Sequence, residues 1–566
     1  MKNENKININ NNTNKTITIT IILFILLIIG VLSNFSRVTE NKINYGQITK
    51  QAFIADMSLQ LANNNRMAIF PYRNFVELYH ENIIPWAEEF PIYIWGTTAI
   101  NKLTSFPIIV SGKLLSFTLW ILSLIFAYKL GRGLNKRFDL YYTQITFPLF
   151  LTLFPIFRIY AKSIIPDMGE VCFLIIALFY TLEKKHIHSA ISIMIASLFK
   201  FYALFFLLGI IGYIYQNKIY QNKHNNIDNN INNNQKSFKI YLIYALSAIP
   251  VIVYLIIVFI AKIPNPLIDN YIQGYAGHLS SWTLLTDYKF YGRILSWMFT
   301  KNLTILGSIF AIIGLIFIFT IKNQLYQNIK NLIIPILLSQ ILSILILGNG
   351  FFIHDYYFLP LCLILALTAA LAFTFLLNKY NYTNYKNKYK WINFLLVFSM
   401  ILFIPFTISR VNKSLTPLDY YEFIAKDIAN FSTDKEKILL ISDRNPELPF
   451  FLSHRSGWMY NYIQYEKSAK LGEVVKTKKI EDRIKYLLTT HNIHTIILFF
   501  IDANAAYSFR HEAEEKIFPQ NMWHTISELT YYRPETEVPK DKYIEIDPRI
   551  SVYIKKFKSN LQHPYK

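Results

Sequence analysis

Polar and apolar positions along most of this chain do not alternate; they segregate into long blocks. Ile17–Leu32 is almost wholly Ile, Leu, Thr and Val, and similar apolar runs recur at about 108–130, 141–156, 166–182, 189–215, 240–261, 303–321, 332–348, 358–377 and 392–408. Runs of about 17–25 apolar residues are long enough to cross roughly 30 Å of hydrocarbon as helices, which satisfy their own backbone groups. The pattern predicts a multi-pass α-helical membrane protein, with about 10–11 transmembrane helices over residues 17–408. Beyond 409 the blocks shorten. Lys437–Ser442 and Thr495–Phe500 read as strands, and Ile480, Ile484, Leu487 and Leu488 share one helical face, so 409–566 is expected to form a soluble α/β domain.

The connections carry as much information as the spans. Residues 35–107 are far more than a turn between helices needs, and loops of that length are commonly functional or hold elements of their own. Within them, Ile54, Met57, Leu61 and Ala62 fall near helical spacing in Gln51–Asn63, and Pro91–Leu103 is a second apolar and aromatic stretch; both are expected to lie along the bilayer interface as amphipathic helices. The run 189–215 is long for one span and short for two. Reading it as a hairpin places ten basic residues of the later loops inside against four outside, as positive-inside topology requires. On that reading 1–16, 216–239 and 379–391 are cytoplasmic, whereas 35–107, 262–302, 349–357 and 409–566 are external, or periplasmic, to a plasma (inner) membrane. His224–Gln235 is nearly all Asn with Ile and Asp, and is expected to be a disordered loop.

Composition agrees with the membrane class: 53% of the 566 residues are hydrophobic and only 16% are charged. The net charge of +21 is scattered through short loops and the tail with no basic stripe, so it reads as topogenic and no nucleic-acid partner is expected. The first apolar run follows a short Lys-bearing N-terminus without a small-residue cleavage site, as in an uncleaved signal anchor. Cys172 and Cys362 both lie inside apolar segments and offer neither a disulfide framework nor a metal site.

Candidate chemistry gathers at the external ends of the spans. Asp56 and Glu89 sit in the two stretches of the first loop, each with a plain reading as a solvated face or a helix end. Arg158 and Lys162 precede Pro166-Asp167, where cations often snorkel to headgroups; Asp167 opens an apolar helix, and a carboxylate at a membrane edge is harder to dismiss. Lys200, in Leu198-Phe199-Lys200-Phe201-Tyr202, falls at the turn of the expected hairpin and needs an anion or water; a phosphate would serve. His354 and Tyr356 can donate to phosphate or sugar oxygens, whereas Tyr357 also reads as an interfacial belt. No nucleotide-sugar signature or Gly-rich phosphate loop is evident. A divalent metal is left open, with Glu89 and His278 as conceivable ligands, but no metal site is assigned.

Glu89-Phe90-Pro91-Ile92-Tyr93, Pro166-Asp167, Lys200 and His354-x-Tyr356-Tyr357-x-Leu359-Pro360, in that order on one expected side, resemble the polytopic GT-C-type glycosyltransferases that use polyprenyl-phosphate sugars. That superfamily includes the protein O-mannosyltransferases and the lipid A aminoarabinose transferase. The resemblance runs over about 17–408 and implies an inverting transfer at the external face, from a polyprenyl-phosphate sugar to lipid A, another glycan or a protein. Such a transfer needs a base and cations at the leaving phosphate, so Asp56 or Glu89 is expected to take the acceptor proton, Lys200 with Arg158 or Lys162 to stabilise the departing phosphate, and Asp167, His354 and Tyr356, with Tyr357 beside them, to orient the sugar. Many members carry an Asp-Glu pair soon after the first span, and Asn41–Lys50 has no carboxylate, so Asp56 and Glu89 stand as rival bases. The alternative from another class is a non-catalytic transporter or lipid-handling protein, for which intramembrane charges would mark a path.

Overall fold

The computed structural model describes residues 2–43, 47–64, 68–71, 75–77, 89–138, 140–224, 230–261, 263, 279–320, 324–382, 390–415, 420–433, 437–442, 446–461, 495–500 and 553–558. The chain divides into two compact units. One comprises Met1–Lys42, Glu89–Ala261 and His278–Thr416; the other comprises Ile43–Glu88, Lys262–Gly277 and Pro417–Lys566.

The first unit is helical. The apolar runs assigned above to spans are largely helical, with breaks at Phe154 and at Lys200–Tyr202, and among the described residues six helices are long and apolar enough to cross a membrane unaided: Ile17–Phe35, Ile108–Phe138, Phe238–Ile260, Gln327–Ile346, Asp355–Asn378 and Trp391–Ser414. A seventh candidate is a broken one, Tyr288–Asn302 with Thr304–Thr320, bent by 109°. Thr143–Leu153, Asp167–Leu182 and His186–Phe199 are shorter, and the last of them stops at a break that brings Lys200 into the bundle. Thr143–Leu153 and Asp167–Leu182 are deeply packed, as is the long span Asp355–Asn378. Phe147, Leu149, Phe150, Leu174, Ile175 and Leu178 are fully buried, whereas Ile252, Ile256 and Phe259 on a long span face outward. A bundle in lipid needs no polar exterior, so apolar side chains remain on its outside.

The expected hairpin over 189–215 is a broken segment whose halves part company. His186–Phe199 packs along Asp167–Leu182 and Asn230–Ile260, while Ala203–His224 packs chiefly along Gln324–Ile346. The Asn-rich stretch also departs from expectation, because Asn230–Gln235 form the first turns of the Asn230–Ile260 helix; residues 225–229 lie outside the described set. Propagating a helix back from an apolar segment costs far less than nucleating one.

The second unit holds a five-stranded sheet of β1 (Phe75–Glu77), β2 (Lys437–Ser442), β3 (Ser456–Asn461), β4 (Thr495–Phe500) and β5 (Tyr553–Lys558), in the order β1-β3-β2-β4-β5. All neighbours are parallel except the β4–β5 pair. Central β2 is buried from Ile438 to Ser442, and its unbroken Ile-Leu-Leu-Ile run is what a parallel strand covered on both faces requires. The sequence reading drew this unit from 409 onward, but β1 comes from the first loop, and the loop helix Ile48–Asn64 packs on Glu447–Ser453. That helix is not a surface amphipath: Ala52, Phe53, Ile54, Ala55, Asp56, Met57 and Ser58 are all buried. The expected helix carrying Ile480 to Leu488 lies outside the described residues.

Candidate active site

Lys200 ends a helix. After Phe199 the chain turns to an extended conformation (φ −150°, ψ 117°), so the Lys200 side chain leaves the helical path inside the bundle. Gly169 allows this: a Cβ there would lie 2.4 Å from the Phe199 ring, so only glycine lets the Asp167–Leu182 helix close on this break. The Lys200 ammonium then pairs with Glu89 and lies 3.6 Å from Asp167 Oδ1, at the first residue of that helix. Tyr202 Oη donates to Asp167 Oδ1 at 3.1 Å, and Tyr254 Oη to the Glu89 carbonyl at 2.9 Å. One helical turn on, Glu170 is fully buried with neither carboxyl oxygen hydrogen-bonded.

An aromatic stack covers this charged group. The Lys200 ammonium stands 4.6 Å from the Tyr356 ring centroid. Tyr356, His354 and Tyr357 form a mutual cluster of near-parallel rings: Tyr356 has both other centroids 5.0 Å away, His354 and Tyr357 are 6.3 Å apart, and Tyr357 lies 4.6 Å from Tyr202. Asp355 fixes the turn from below: it accepts from Tyr160 Oη and pairs with Lys301 Nζ at 2.6 Å.

A second group is basic. Arg158, on the short Pro155–Tyr160 helix, is buried and donates from Nη2 to Ser33 Oγ at 2.8 Å, while its Nε and Nη1 have no hydrogen-bond partner. Asn34 beside Ser33 is fully buried with both side-chain polar atoms unpartnered. Lys162 lies in the turn that follows Arg158. Ser116 Oγ donates to the carbonyls of Ser163 (2.8 Å) and Ile165 (3.3 Å), and Gly112, where a Cβ would fall 2.3 Å from Ile164, lets the Ile108–Phe138 helix press on that turn. Lys113 Nζ donates to the carbonyls of Glu40 (3.0 Å) and Arg37 (3.4 Å), and Arg37 Nη1 to the Leu415 carbonyl at 2.8 Å. The Glu40 carboxylate sits 3.9 Å from Arg37 with 41% of its side chain exposed. Burial, and then the charges of Arg158 and Arg37, push the Lys162 amine down to about 7.

Of the nine residues singled out in the sequence, Glu89, Asp167, Lys200 and Tyr356 come together, with His354 and Tyr357 stacked behind. Arg158 and Lys162 belong to the basic group instead, and the charges acting most strongly on Lys162 are Arg158, Arg37, Glu40 and Lys113. Asp56 belongs to the second unit. Sequence reasoning missed Arg37, Glu40, Lys113, Glu170, Tyr202 and Lys301. Glu40 had a signal: it stands one position before the stretch searched for a carboxylate after the first span.

No family model and no curated protein matches the chain. Solved structures do. ArnT from Cupriavidus metallidurans bound to undecaprenyl phosphate is similar over 94% of this chain and 97% of its own, at 12% identity and a TM-score of 0.55. The chain has the GT-C fold. The oligosaccharyltransferase AglB from Archaeoglobus fulgidus, in complex with an inhibitory peptide and a dolichol-phosphate, is similar over 96% of this chain and 75% of its own, at 11% identity and a TM-score of 0.51. With its apolar helices, that fold makes this a multi-pass membrane protein.

Another Archaeoglobus fulgidus oligosaccharyltransferase structure is a complex with Zn and sulfate (12% identity, TM-score 0.50, covering 90% of this chain and 72% of its own). Here no group of three or more His, Cys, Asp or Glu that could hold a metal occurs among the described residues, and His278 lies outside them. Glu89 and Asp167 share the Lys200 ammonium as their counter-ion, so the position between them is already filled by a cation. A metal does not fit that pair.

Proposed function

We propose that this protein is a membrane glycosyltransferase that moves a sugar from a polyprenyl-phosphate-linked donor to an acceptor on lipid A, another glycan or a protein, at the external face of the membrane and with inversion. The observation that carries the reading is a buried cluster of cations, with Arg158 Nε and Nη1 unsatisfied, set in the same helical unit as an acid, lysine and tyrosine group, within a fold shared with ArnT.

Transfer from a lipid phosphate needs cations where charge develops on the leaving oxygen, and a base for the acceptor proton. In this reading Arg158 and Lys162, with Lys113 and Arg37, hold the donor phosphate. Buried donors stabilise an anion most when they are positioned before it arrives, and Arg158 Nε and Nη1 are unpartnered in a site sealed from water. Lys200 serves differently. Neutralised by Glu89 and Asp167, it orders the wall formed by His354, Tyr356 and Tyr357, against which the sugar is held. Three carboxylates compete for the role of base: Glu40, Asp56 and Glu89. We assign it to Glu40, because Glu89 is engaged by Lys200 and Asp56 is buried, whereas Glu40 is open to an arriving acceptor and borders the cations.

The test is transfer from a panel of radiolabelled polyprenyl-phosphate sugars by purified protein in nanodiscs, with membrane extract supplying acceptors. Transfer that Arg158→Gln abolishes supports the reading. Donor binding without any turnover would favour a lipid-handling protein instead.

A further inference from the structure

The chain bends sharply before the Thr304–Thr320 helix. Tyr288–Asn302 meets that helix at 109° across a break at Leu303, and Thr304 takes a left-handed φ of 66° to make the turn. Thr304–Thr320 packs on Leu359–Tyr382, the body of the span Asp355–Asn378, so a helix at nearly a right angle to it runs along the membrane surface rather than through it. Three lines of side chains follow the Tyr288–Asn302 helix. Phe290, Ile294 and Met298 are buried. Tyr291, Leu295 and Phe299 are exposed, as are Trp282 and Tyr288 at the approach. Lys289, Arg293, Trp297 and Lys301 form the third line, and the helix holds no acidic residue. Successive positions on a helix are about 100° apart, so the exposed apolar line and the basic line flank the buried one on opposite sides.

The basic line is prepared for an anion. Arg293 lays its guanidinium 4.6 Å from the Trp297 ring centroid and 4.4 Å from that of Phe352, and Lys301 Nζ stands 4.9 Å from Trp297. Stacking on a ring face leaves the N–H groups at the guanidinium edge available to a phosphate. Lys301 is taken by Asp355, whereas neither Lys289 nor Arg293 pairs with a carboxylate among the described residues. An apolar, aromatic line opposite a basic one, on a helix along the bilayer, matches hydrocarbon on one side and headgroups on the other. We propose that Tyr288–Asn302 lies in the headgroup layer and binds anionic phospholipid, with Lys289 and Arg293 meeting its phosphate while Tyr291, Leu295 and Phe299 enter the hydrocarbon. A phosphate that brings no cation of its own gains most from these two charges, so the site selects phosphatidylglycerol over zwitterionic phosphatidylcholine. Such a site needs only the bilayer, whatever the protein transfers. Because Lys301 on the same helix holds Asp355, a bound headgroup also steadies the turn that carries His354, Tyr356 and Tyr357.

The experiment titrates phosphatidylglycerol and phosphatidylcholine onto the purified full chain by native mass spectrometry. Phosphatidylglycerol should bind the tighter, and each cation removed should weaken it about fivefold. Arg293→Gln then loses one such step and the Lys289→Gln, Arg293→Gln double variant two, with phosphatidylcholine unmoved. Both side chains are exposed, and the charge-keeping Arg293→Lys, which should retain the lipid, separates loss of charge from loss of fold. Arg132→Gln, at an exposed cation of the Ile108–Phe138 helix, should leave binding as it was. Equal affinity for the two lipids, an equal fall at Arg132→Gln, or unchanged phosphatidylglycerol affinity in the double variant overturns the proposal. So would a dimer in the same spectra that the double variant dissociates, which would give this face to a second copy of the chain.

Discussion

Glu89 and Lys200, 111 positions apart in the chain, form an ion pair with side-chain exposures of only 13% and 2%, and Asp167 stands 3.6 Å from the same ammonium. The lysine is therefore the counter-ion of two acids, and it ties the end of the first loop to a break between two bundle helices. A buried cation between two carboxylates is first of all an element of architecture.

Removing that cation should be far worse than removing either acid. Lys200→Ala would strand Glu89 and Asp167, with the unpartnered Glu170 one turn away, and such a loss costs on the order of 3–5 kcal/mol. Glu89→Gln leaves the Lys200–Asp167 contact and should cost much less. Thermal unfolding in detergent reads the ranking, and the Lys200→Met, Glu89→Gln double variant should be more stable than Lys200→Met alone. If adding Glu89→Gln gave no recovery, the ion-pair account would be wrong.

The approach of helices at this break depends on one missing methyl group. Gly169→Val would drive a side chain into the Phe199 ring and lower stability by about 1–3 kcal/mol. Gly133 is the comparison, since its Cβ would come no closer than 3.7 Å, to a Glu183 carboxyl oxygen, and its helix gains from alanine by ~0.5–1 kcal/mol. Melting temperatures moving in opposite directions are expected; a fall for both would indicate general helix disturbance.

How much of this was legible in the sequence follows from what each feature depends on. Apolar block length is local, so the runs placed in spans are largely helical, and β2 and β4 fall on the two runs read as strands. The meeting of Glu89, Asp167, Lys200 and Tyr356 was legible because each is a polar residue at the end of an apolar block, where chain ends converge. The basic cluster was not. Lys113 lies inside an apolar helix, and its partners are backbone carbonyls, which carry no sequence signature. The capture of the first loop by the second unit was equally hidden, since β1 is only three residues long and gains its meaning from pairing with β3.

Lys162 makes stability depend on pH in a defined window. Its amine is held down at about 7 in the folded state, from a usual 10.5. Between those values the unfolded chain binds the extra proton, so stability should rise as pH increases from about 7 towards 10.5 and be insensitive to this group below 7. Unfolding measured across that range should show a slope that Lys162→Met flattens. An unchanged slope would remove Lys162 as its source.

Asp355 holds the turn that carries His354, Tyr356 and Tyr357, through Tyr160 and Lys301. Lys301 is partly exposed and its charge can be solvated when unpaired, but Asp355 is buried. Lys301→Ala should therefore harm the protein more than Asp355→Asn does, since the asparagine oxygen still accepts from Tyr160 without a charge to strand. Paired melting curves would show it, and the reverse order would mean that the hydroxyl bond depends on the full carboxylate.

The assignment of Glu40 as base makes a prediction of unusual sign. Glu40 is the negative member of a cation-rich group, so Glu40→Gln removes repulsion toward a donor phosphate as well as the proton acceptor. Donor binding should tighten while turnover falls by about 10²–10⁴-fold, the usual contribution of a general base. A variant merely damaged in structure would lose both together. Asp56→Asn should leave donor affinity unchanged, and Glu89→Gln should act through the Lys200 ion pair, moving stability and turnover in parallel. Measuring Kd for the donor beside kcat for all three variants separates the candidates. Should tighter binding with lost turnover appear at Asp56→Asn and not at Glu40→Gln, the base would be in the second unit.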